Sequence, residues 1–147
     1  MTDVTTEERV ERQEKWEPIA GIESPAGGAF VAEDHEGLTV TLLFSEIADG
    51  PDSDLRIKFG RVVAYSAYEE FVHPWEAVNE ATRLCGRWES YIYPLLKVKN
   101  SKWMASLPHL SLVNPNCVHY RLLTIDKVVD VLSSKKPEAS WVDAVES

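Results

Sequence analysis

From residue 55 to residue 65 the chain alternates. Leu55, Ile57, Phe59, Val63 and Tyr65 fall on one side of an extended backbone, with Arg61 the only break. Arg56 and Lys58 fall on the other side, followed by Gly60, Val62 and Ala64. A period of two that passes into an apolar run predicts a central strand, half covered at its start and buried further on. Gly60 predicts a bulge or a close backbone approach. Arg61 then has two readings. If the alternation runs through Gly60, its guanidinium faces the core and needs a partner, because an unpaired buried charge is costly. If Gly60 is a bulge, Arg61 turns outward, and glycine's frequency at bulges favours this reading.

The same reading extends to the rest of the chain. Thr5 and Glu8 have the spacing of a capping box, which predicts a helix to about Lys15 that is polar all round and weakly held. Residues 16–22 read as an edge strand because Pro18 cannot donate in a ladder. Residues 29–32 and 38–45 read as strands joined by a short turn. His73 to Gly86 reads as a helix, with Pro74 at its first position and Val78, Ala81 and Cys85 on its apolar face. A strand follows, interrupted by Pro94 or beginning after it. Asn100 or Ser101 then caps a short helix stopped by Pro108. Residues 118–124 read as the last clear strand. Asp126 looks like the cap of an apolar helix over 127–132, and Ser140 and Asp143 suggest a final helical turn. Trp141, Val142 and Val145 would dock that tail, residues 137–147, on the body. The expected fold is α+β: an antiparallel or mixed sheet of about five or six strands with short helices packed on one face.

A length of 147 residues, 44% of them hydrophobic, fits one domain with one core. No run approaches the length of a membrane-spanning helix, and the acidic N-terminal stretch does not resemble a secretory signal, so a cytoplasmic protein is expected. Cys85 and Cys117 read as free buried thiols rather than a disulfide framework.

Charge changes the picture more than composition does. The net charge is -9, but residues 1–54 hold 14 acidic residues against 3 basic ones. Residues 55–136 hold 7 acidic against 12 basic. An acidic block on a mildly basic body disfavours nucleic acid and anionic membrane as partners and favours a basic protein. The competing explanation is an acidic surface that serves solubility alone.

Motifs that carry chemistry are weak. His35, His73, His109 and His119 show no helical zinc spacing, so no metal is expected. Gly27 and Gly28 precede a strand, not a helix, so they do not form a phosphate loop. No nucleophile elbow or catalytic cysteine signature occurs. No catalytic residue and no cofactor is therefore assigned.

The segments Phe59 to Tyr65, Tyr93 to Trp103 and His119 to Leu132 resemble a group of small uncharacterised bacterial α+β proteins. Some of these are similar in character to immunity proteins that neutralise polymorphic toxins. The resemblance covers residues 55–132 and implies a non-enzymatic inhibitor, with no functional residue to carry over. The reading is an acidic binding protein of the immunity type, directed at a basic toxin or nuclease. Its expected contact residues are Asp34 and Glu36 in one turn and Glu46, Asp49, Asp52 and Asp54 in another. Two alternatives stand beside it. One is a small-molecule-binding domain or enzyme whose pocket uses Trp, Tyr and either Arg61 or His119. The other is a homodimeric structural protein.

Overall fold

The computed structural model describes residues 10–69 and 82–144. These are mostly antiparallel sheet: nine strands in two sheets, with a few short helices. The strands are β1 (Arg12–Lys15), β2 (Ala29–Asp34), β3 (Gly37–Leu42), β4 (Ser53–Gly60), β5 (Ala64–Glu69), β6 (Leu95–Lys99), β7 (Val118–Leu123), β8 (Lys127–Ser133) and β9 (Glu138–Asp143). The helices are α1 (Lys102–Ala105) and α2 (Leu110–Val113). One sheet has the order β1-β6-β7-β8-β5 and the other β2-β3-β4-β9. The expected single sheet of five or six strands is thus two sheets, and among the described residues helix is scarcer than an α+β reading implies.

Alternation explains how the sheets pack. Leu38, Val40 and Leu42 of β3 and Leu55, Ile57 and Phe59 of β4 point inward. Leu95 of β6, Tyr120 and Leu122 of β7, and Val129 and Val131 of β8 meet them from the other sheet. Trp16 fills the junction, its ring 4.7 Å from that of Tyr120 and 6.3 Å from that of Phe59. Each such side chain contributes about 1.5–3 kcal/mol when fully buried. Trp141 of β9 closes the edge of its sheet, where its indole N–H donates to the Ala20 carbonyl at 2.9 Å.

The alternating stretch 55–65 is two strands. β4 ends at Gly60, where the register against β3 slips: Leu38 pairs with Gly60 but Thr39 with Lys58. Gly60 has φ +71°. A Cβ on Gly37 would lie 2.1 Å from the Gly60 carbonyl carbon, so only glycine fits this approach. The bulge turns the chain out of one sheet, and β5 joins the other against β8. Arg61 is exposed in the crossover, and Val63 is 38% exposed rather than central.

Several expected helices are strands. Residues 12–15 pair with β6, while residues 1–9 lie outside the described residues. Residues 127–132 form β8, because Val128, Val129 and Val131 suit a pleated, covered surface. Asp126 is the second residue of the two-residue turn between β7 and β8, where Thr124 N–H donates to the Lys127 carbonyl at 2.9 Å. Residues 138–143 form β9 on β4. The expected helix over 73–86 falls mostly outside the described residues, including Val78 and Ala81. Its end is not helical: Arg83 bridges to Ile92, and Cys85 is exposed rather than packed. Cys117 is half-buried, and both thiols are free.

Candidate functional site

Three features carry polar chemistry. The first is a buried network on the outer face of the β1-β6-β7-β8-β5 sheet. Arg121 and Asp130 face each other across β7 and β8, and His119 stands two residues before Arg121 on the same face. Arg121 Nε donates to Asp130 Oδ1 at 2.8 Å, and His119 Nε2 meets the same oxygen at 2.7 Å. The Tyr68 hydroxyl donates to Asp130 Oδ2. Ser101 Oγ lies 2.7 Å from His119 Nδ1 and accepts from Met104 N at 3.1 Å. A carboxylate only accepts, so His119 Nε2–H donates to Asp130 Oδ1. Ser101 Oγ and His119 Nδ1 share the next hydrogen bond, and the chain of bonds closes. Burial and the hydrogen bond to Asp130 hold the Tyr68 phenol protonated well above its ordinary range.

Serine, histidine and aspartate are the residue types of a hydrolytic triad. This one is sealed. His119 is 1% exposed, Asp130 2% and Ser101 6%. Ser101 is also the N-cap of α1, and the Trp103 ring packs edge-to-face with the imidazole, their centres 5.5 Å apart. Together these groups join the cap of α1 to three strands. The network fastens the fold.

The second feature is one end of the sandwich. The registers bring the start of β2, the end of β3, the start of β4 and the end of β9 together. Ile125 N–H donates to the Ala26 carbonyl at 2.9 Å, which places the β7–β8 turn at the same end. Glu46, Asp49, Asp52, Asp126 and Asp143 are exposed there. A Cβ on Gly28 would stand 3.2 Å from Glu46 Oε1 and 3.7 Å from Asp126 Oδ1, so these two carboxylates converge. Arg87 pairs with Asp49 at 3.5 Å, with both side chains well exposed.

The six acidic residues picked from the sequence do not form one patch. Glu46, Asp49 and Asp52 belong to the acidic end. Asp34 ends β2 and Glu36 sits in the β2–β3 turn, at the far end of β3, about 20 Å away for a six-residue strand. Their surroundings are charge-balanced: a cleft of about 280 Å³ brings Asp34, Glu36 and Glu138 together with Lys58, Lys135 and Lys136. Asp54 is not on the surface. It is fully buried, and its Oδ1 accepts from Ser45 N at 2.9 Å, so it tethers the turn after β3. Asp126 and Asp143 were hidden in segments that read as helices.

The third feature is a cleft of about 540 Å³ between residues 15–23 and residues 84–88, with Tyr93 in its lining. Arg61 and His119 line neither cleft. Among the described residues, no group of three or more His, Cys, Asp and Glu is placed to hold a metal ion. No described helix is long and apolar enough to cross a membrane. No protein-family model, curated protein or solved structure matches the chain.

Proposed function

We propose that this is a non-enzymatic binding protein of the immunity type, which neutralises a basic toxin or nuclease by laying the acidic end of the sandwich on its cationic surface. The observation that carries this reading is the convergence of Glu46, Asp49, Asp52, Asp126 and Asp143 at one end, from three separate turns and strand ends. The side chains best suited to catalysis are committed to the buried network instead. A net charge of -9 adds long-range attraction for a cationic partner.

The experiment is capture from the native host, followed by reconstitution. A basic protein should be retained at low salt, form a stoichiometric complex with the purified chain, and lose its toxic or nucleolytic activity in that complex. Retention should fail for the variant Glu46→Gln, Asp49→Asn, Asp52→Asn. A partner that binds this variant as well as the wild type would overturn the assignment of the acidic end.

A further inference from the structure

The 540 Å³ cleft has a chemistry of its own, distinct from the acidic end. Its volume falls in the range of small-molecule sites. Two aromatic side chains line it, and each carries a cation over its ring. The Arg87 guanidinium lies 4.8 Å from the centre of Trp88, and Lys15 Nζ lies 5.4 Å from the centre of Tyr93. A cation resting on a ring is partly fixed in place, so less side-chain freedom is lost when an anion binds it. Gly86 leaves the wall open: among the described residues, apart from its chain neighbours Cys85 and Arg87, no atom stands within 4 Å of the place a Cβ would take. Glu17 and Glu23 also line the cleft and would repel a ligand carrying several negative charges. Besides resting on Trp88, Arg87 forms an exposed pair with Asp49, a contact that an incoming anion can replace.

We propose that this cleft binds a small aromatic monoanion, with its ring system against Trp88 and its carboxylate or sulfonate on Arg87 and Lys15. The site does not depend on the partner proposed for the acidic end. Asp49 separates the two: removing its charge weakens attraction for a basic partner but frees Arg87 for an anion.

Cys85 provides the readout, because its thiol is exposed and lines the cleft. The half-buried Cys117, whose thiol burial pushes up, serves as the internal reference. The probe is 8-anilinonaphthalene-1-sulfonate, with the neutral N-phenyl-1-naphthylamine as comparator. Fluorescence titration should give one site per chain. At saturation, alkylation of Cys85 by N-ethylmaleimide, mapped by peptide mass spectrometry, should slow while that of Cys117 does not. The neutral comparator and the Arg87→Ala variant should each show affinity about tenfold lower, the loss expected for one charge-assisted contact. Asp49→Asn should bind the sulfonate about threefold more tightly, as expected for release of an exposed ion pair. Unchanged Cys85 reactivity at saturation, equal binding by Arg87→Ala, or no gain in Asp49→Asn would each overturn the proposal.

Discussion

The molecule holds two sets of ionisable side chains in opposite environments. His119, Arg121 and Asp130 lie sealed on the outer face of one sheet, each bonded to a neighbour. Glu46, Asp49, Asp52, Asp126 and Asp143 stand in solvent at one end. The first set has the residue types of catalysis and serves the fold. The second has no special chemistry and is left available to a partner. Burial and hydrogen-bond commitment, not residue type, separate the two. Asp54 and Asp52 make the same point at closer range: two residues apart in one acidic stretch, one is buried under the turn it tethers and the other is exposed.

The largest expected effect is in the sealed set. Asp130→Ala leaves the Arg121 charge buried without this carboxylate. It should cost about 3–5 kcal/mol in urea unfolding, as removal of one member of a buried pair does. Asp130→Asn, which keeps an acceptor, should cost less and keep the folded state measurable. Equal stability of Asp130→Ala and wild type would break the comparison.

Asp54→Ala should cost about 1–3 kcal/mol, because Ser45 N–H loses its acceptor in a buried place. Asp52→Ala, two residues away, should stay within about 0.5 kcal/mol. Similar values for the two would show that burial does not divide this loop.

A third effect depends on pH. Burial, with Glu17 as a smaller cause, pushes the Tyr93 phenol from its ordinary 10.0 up to about 12. Its folded pKa is raised, so its contribution is fully present below pH 10 and is lost as pH rises towards 12. The unfolded chain releases this proton first. Stability should therefore fall above pH 10, with Tyr93 contributing up to about 1.4 kcal/mol per pH unit. Tyr93→Phe should flatten that part of the curve in urea titrations at pH 8 and pH 11. An unchanged slope would contradict the burial of this hydroxyl.

The smallest effect on stability belongs to the exposed set. Glu46→Gln, Asp49→Asn and Asp52→Asn should each change unfolding free energy by no more than about 0.5 kcal/mol. A larger loss would mean that the acidic end supports the fold.

Much of the core was legible in the sequence. The alternation of Leu55, Ile57 and Phe59 marked β4, and Gly60 marked the bulge that turns Arg61 outward. The pattern could not show that the stretch changes sheets, because β5 alternates in turn. A short apolar run behind an aspartate fits a capped helix as well as a covered strand, which is why β8 was misread. There the β-branched valines were the better guide. The network was not legible because it joins residues 68, 101, 119, 121 and 130 across strands, at separations no local pattern encodes. The acidic end was half legible: its loop was visible, but Asp126 and Asp143 reach it only through the strand pairing.

The most direct measurement of the central claim is the association rate of a basic partner at two salt concentrations, for wild type and for the variant Glu46→Gln, Asp49→Asn, Asp52→Asn. Exposed charges are screened beyond about 8–10 Å at physiological ionic strength. If the acidic end steers the partner, the wild-type on-rate should fall steeply with salt. The variant should associate more slowly at low salt, with a shallower salt dependence and a smaller change in off-rate. On-rates for the variant equal to those of the wild type at low salt would contradict the account and reduce these acids to solvated surface.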